Sequence, residues 1–77
     1  SKYRLVSGED YKINLIKKER VIHKEKGKYA TTALVEHTNH SFYSPELDIN
    51  VPSVEDIMYH MIKSEQERGK RTWEVWY

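Results

Sequence analysis

Residues 52–77 carry the strongest folding instruction in this chain. Pro52-Ser53-Val54-Glu55-Asp56 has the form of a helix start. Ser53 suits the N-cap, Asp56 stands where a carboxylate can reach back to that cap, and Glu55 places negative charge at the positive end of the helix dipole. Val54, Ile57, Met58, Met61 and Ile62 then recur at i, i+3, i+4, i+7 and i+8, the single apolar stripe of a helix lying on a sheet. Arg68, Lys70 and Arg71 suit the negative end of such a helix, and Gly69 suits the residue just beyond it, so the spacing predicts closure at Arg68-Gly69. Thr72-Trp73-Glu74-Val75-Trp76-Tyr77 follows as an aromatic strand, with Trp73, Val75 and Tyr77 on one face and Trp76 on the other.

Upstream, the apolar period shortens to two. Tyr11, Ile13 and Leu15 alternate with Lys12 and Asn14, and Val21-Ile22 resumes the alternation, which predicts a strand from Tyr11 to His23 interrupted at Lys17–Arg20. Lys24-Glu25-Lys26-Gly27 reads as a hairpin turn with Gly27 at positive φ. Tyr29–Glu36 is the next strand, and Thr38-Asn39 turns the chain into a third at His40–Tyr43. Leu47, Ile49 and Val51 form a short extended run into the helix. Ser7–Asp10 is a turn cluster, which leaves residues 1–10 as a loose N-terminal arm or an edge strand. The expected architecture is α+β, a single domain over 1–77 in which a three-stranded antiparallel meander plus a C-terminal strand packs against one α-helix.

The core that a chain of 77 residues can build sits near the lower practical limit. With no cysteine, neither disulfides nor thiolate zinc can supplement it, and a cytoplasmic setting is expected. No apolar run reaches the roughly 20 residues of a membrane span, and Ser1-Lys2-Tyr3-Arg4 lacks the apolar stretch of a signal peptide, so no membrane partner is expected.

Thirteen basic and twelve acidic side chains nearly cancel, but they are segregated. Lys17, Lys18, Arg20, Lys24, Lys26 and Lys28 face only Glu19 and Glu25 over residues 17–28, whereas Glu46, Asp48, Glu55, Asp56, Glu65 and Glu67 face only Lys63 over residues 44–67. Such a bipolar chain can steer a charged partner to one end, or pair head to tail with itself.

Nothing in the chain assembles a nucleophile with its base, a metal-ligand set or a phosphate-cradling glycine loop. His37 and His40 form an H-x-x-H pair, yet they fill only two coordination positions. Glu46, Asp48, Glu55 and Asp56 are better explained by helix entry than by general acid–base work. The expectation is therefore a non-enzymatic module with no cofactor and no metal.

Two binding readings remain. In the first, exposed aromatics around Trp76, Tyr77, Tyr43 and Tyr29 bind a protein partner, or a second copy as a homodimer, because aromatic side chains give large contact area at little entropic cost. The Lys, Ile, Tyr, Asn and Glu bias matches AT-rich coding, which points to a bacteriophage or mobile-element protein that modulates or inhibits a larger host macromolecule. In the second, Lys17, Lys18, Arg20, Lys24, Lys26 and Lys28 contact nucleic acid through its phosphates. The net charge of +1 and nine lysines against four arginines weaken that alternative, since arginine is the usual base reader.

Overall fold

Ala33, Leu34 and Val35 are completely buried, and a run with no exposed face belongs in the interior of a sheet covered on both sides. The computed structural model describes residues 2–76, with side chains as far as Arg68. Its elements are β1 (Tyr3–Gly8), α1 (Asp10–Ile13), a 3₁₀ turn at Lys18–Arg20, β2 (Val21–Lys26), β3 (Thr31–Glu36), β4 (Asp48–Asn50) and α2 (Val54–Trp76). The four strands form an antiparallel sheet in the order β2-β3-β1-β4. This is the expected α+β layout of a small antiparallel sheet with one main helix.

The register decides which residues share a face. Val6 stands opposite Ala33 and Leu5 opposite Leu34. Val6, Ala33 and Val35 therefore look one way, and Leu5, Leu34 and His23, the partner of Leu34 on β2, look the other. The first face is covered by the segments that follow β1 and precede β4. Ile13, Ile16 and Leu47 close over Val6, Ala33 and Val35, with Val21 and Tyr43 packed at the margin. The second face is covered on its β2 side by α2.

Several expectations are corrected. Residues 3–8 are neither a loose arm nor an edge strand but β1, hydrogen-bonded to β3 and β4 on its two sides. Tyr11–His23 is not a continuous strand. Lys12 and Ile13 donate their N–H groups to the Glu9 carbonyl at 3.0 and 3.2 Å, and that single turn puts Ile13 and Ile16 inward and Tyr11 and Leu15 outward. Lys12 is buried with them, its ammonium 2.7 Å from Glu46 and 3.2 Å from Glu9. The Glu46 hydrogen bond is the main reason its pKa is raised. His40–Tyr43 does not form a strand. Ser41 donates to the Thr38 carbonyl at 3.0 Å, and its hydroxyl accepts from the Thr38 N–H at 2.8 Å, so local bonds hold a loop instead. The fourth strand is Asp48–Asn50, paired with β1, in place of the expected strand at 72–77.

The β2–β3 hairpin turns at Gly27 as expected, but without a positive φ. What the site requires is close approach: a Cβ there would meet the Ala30 carbonyl oxygen at 2.8 Å.

The helix starts as the sequence indicates. Asp56 N–H donates to Ser53 Oγ and Ser53 N–H to Asp56 Oδ2, both at 3.1 Å, a reciprocal capping box that also lowers the Asp56 pKa. It does not stop at Gly69. The backbone continues helical to Trp76, since strong helix formers flank the glycine and a mid-helix glycine costs only about 1 kcal/mol.

Candidate functional site

The face that α2 turns to the sheet differs from the apolar stripe in its sequence. Among the described side chains of α2, His60 is the buried one, flanked by half-buried Ile57, Met61 and Ser64. Val54, Met58 and Ile62 are 71, 56 and 52% exposed. The sheet takes one margin of the stripe, and the other margin, about a third of a turn round the helix, is left outward as an i, i+4, i+8 row. Val51 and Ile49, 68 and 37% exposed, extend apolar surface into the segment before the helix. Glu55 and Glu65 are also exposed on this helix.

Polar bonds make the inner joint. His23 Nδ1 on β2 lies 2.9 Å from His60 Nδ1, His23 Nε2 lies 3.3 Å from Glu67 Oε2, and Tyr59 donates its hydroxyl to Glu25 at 2.6 Å. The Tyr59 ring stands edge-on to His60. Burial, aided by the facing His23, lowers the His60 pKa below the usual imidazole value. The hydrogen bond to Glu25 raises that of Tyr59.

The proposed aromatic site is dispersed. Tyr29 is 89% exposed at the β2–β3 turn. Tyr43 lies past the other end of β3, half-buried, its ring against the Arg20 guanidinium and its hydroxyl 2.8 Å from Arg20 Nη2 and 2.9 Å from His37 Nδ1. That hydroxyl accepts from Arg20 and donates to the ring nitrogen of His37. That role suits a neutral His37, whose pKa is lowered chiefly by burial. The Trp76 side chain and Tyr77 lie outside the described residues.

The six basic residues are not one patch either. Arg20 donates to the Glu36 carbonyl at 3.1 and 3.0 Å and is a structural strut. Lys24 and Lys26 approach the Asp10 carboxylate at 3.3 and 3.8 Å, while Lys28 lies over Tyr29. Asp10 also accepts from Thr31 Oγ1 at 3.0 Å, the largest cause of its lowered pKa. Lys17 and Lys18 are exposed.

Among the described residues, no group of three or more His, Cys, Asp or Glu could hold a metal ion, and no helix is long and apolar enough to cross a membrane. A groove of about 390 Å³ lies between Leu15 and Phe42, with Lys17, Arg20 and His40 on its walls. Neither Leu15 nor Phe42 stands on a regular element. In comparisons with protein-family models, curated proteins and solved structures, nothing matches the chain.

In the sequence the outward row of α2 is visible only as part of a stripe that points to the core. Only the position of His60, an ionisable residue beside the stripe, could have hinted that the buried margin lies elsewhere.

Proposed function

We propose that the protein is a non-enzymatic, cytoplasmic module that binds another protein through the outward row Val54-Met58-Ile62 of α2. The observation that supports this is the row itself: three large apolar side chains, more than half exposed, spaced one turn apart on a rigid element. An amphipathic helix reads a groove through such anchors. The nearby exposed carboxylate of Glu55 favours a partner whose apolar strip carries a lysine or arginine at that end, while Glu65 is already engaged by Arg68. Modulation of a larger host macromolecule is the role that suits so small a module. Nucleic acid is the weaker reading, because Asp10 already engages Lys24 and Lys26.

Photo-crosslinking from position 58 in cells identifies the partner, and binding is then measured with that partner purified. Met58→Lys with Ile62→Lys is expected to weaken binding at least tenfold, about 1.4 kcal/mol. Neutralising Lys24, Lys26 and Lys28 leaves it unchanged. Equal binding by the α2 variant, or loss of all captured material after nuclease, would overturn the proposal. A crosslink to a second copy would make the partner this chain itself.

A further inference from the structure

The joint between α2 and the sheet is a contact of two buried imidazoles. His23 and His60 are each 5% exposed, and their Nδ1 atoms stand 2.9 Å apart. A bond of that kind carries one proton, donated by one ring and accepted by the other. The far side of His23 decides the roles. Its Nε2 faces Glu67 Oε2 at 3.3 Å, and a carboxylate accepts, so His23 holds its proton on Nε2 and presents a bare Nδ1 to the Nδ1–H of His60. We propose that the His23–His60 pair is a proton-operated latch, which holds α2 on β2 while one proton bridges the rings and releases the helix when both rings are charged.

The reason lies in where protons can go. A first extra proton on His60 Nε2 leaves the bridge in place. A second must enter at His23 Nδ1, the atom that accepts the bond, so N–H would then point at N–H and two like charges would face each other in a buried site. Among the described residues, the charged and titratable groups around the pair are Glu25 on β2 with Asp56, Tyr59 and Glu67 on α2. Asp56 and Glu25 favour the charged imidazole, while burial and the facing ring oppose it, and burial is the larger cause for His60.

The sign follows. A released imidazole titrates near pH 6.5 and docked His60 titrates lower, so the hold on α2 is complete above about pH 6.5 and is lost as pH falls through the range of docked His60. For each proton the docked pair refuses, the ratio of released to docked helix rises about tenfold per pH unit. The carboxylates of Asp10 and Asp56 do not confuse this window, since both are held below the usual carboxylate range. The latch stands whether or not the outward row of α2 binds a partner.

Nitrogen-15 NMR of the histidine rings in the whole protein, followed from about pH 8 to about pH 5, tests it. The expected start is an Nε2–H tautomer at His23 and an Nδ1–H tautomer at His60. On acidification NOE contacts between α2 and β2 vanish in the step that leaves both rings charged, while those between β1 and β3 persist. His37→Gln leaves this profile unchanged. His23→Gln with His60→Gln, an amide pair that can bond without titrating, keeps α2 docked down to about pH 5. Two results overturn the latch: both rings becoming charged in the wild type with α2 still on β2, or release at the same pH in the double glutamine variant. Should that variant not fold, the wild-type titration decides alone.

Discussion

The two faces of the sheet are covered by unlike chemistry. Over Val6, Ala33 and Val35 lie Ile13, Ile16 and Leu47, which bury apolar area without depending on pH. Over His23, on the β2 side of the other face, lies α2, joined through His60, Glu67 and the Tyr59–Glu25 bond. Apolar burial is non-directional and tolerates small shifts, whereas a buried imidazole pair fails when one partner is lost or when both are charged. The first face thus defines the fold, and the second makes the position of a long helix conditional. A helix held this way can present its outward row in more than one setting.

The comparison breaks first if the two faces prove equally costly to damage. Ile13→Ala, at 1% exposure, is expected to lower stability by about 2 to 4 kcal/mol in urea denaturation. His60→Ala leaves the acceptor nitrogen of His23 unsatisfied and is expected to cost about 1 to 3 kcal/mol at neutral pH, with the loss confined to α2 and β2 in NMR. Global unfolding by His60→Ala, with Ile13→Ala mild, would reverse the assignment. Ser53→Ala removes the cap and is expected to cost about 1 kcal/mol, read as a loss of helicity in circular dichroism. Met58→Lys, on the outward row, should change stability by less than about 0.5 kcal/mol. A larger loss would show that the row is packed.

Acid sharpens the same contrast. The His60 contribution, with its depressed pKa, is present above about pH 6.5 and lost as pH falls below it. Those of Asp10 and Asp56, also depressed, persist above about pH 4 and go only at lower pH. Stability followed against pH should therefore fall in two stages, and a single stage below about pH 4 would remove the histidine contribution from the account.

Local chemistry was legible in the sequence, and tertiary choices were not. The Ser53–Asp56 cap and the strand at 31–36 follow from residue types at fixed short spacings. The segment after β1 did not, because Tyr11, Ile13 and Leu15 satisfy a period of two while the buried pair Ile13 and Ile16 has a spacing of three, and only the sheet decides between them. The C-terminal strand was inferred from Gly69 as a stop, a weak signal where good helix formers stand on both sides. On α2 the stripe was visible but wider than the surface it covers, so its pattern could not tell that Ile57 and Met61 go inward while Val54, Met58 and Ile62 stay out. The His23–His60 pair joins residues 37 positions apart in unlike elements, and no local pattern announces that.

The most direct test of this division is native-state hydrogen exchange, corrected for intrinsic rates, at about pH 7.5 and about pH 5.5. The account predicts that amides of α2 lose protection in acid while those of Val6, Ala33 and Val35 in β1 and β3 keep theirs. Uniform loss across α2 and the central strands, or undiminished protection of α2, would contradict it.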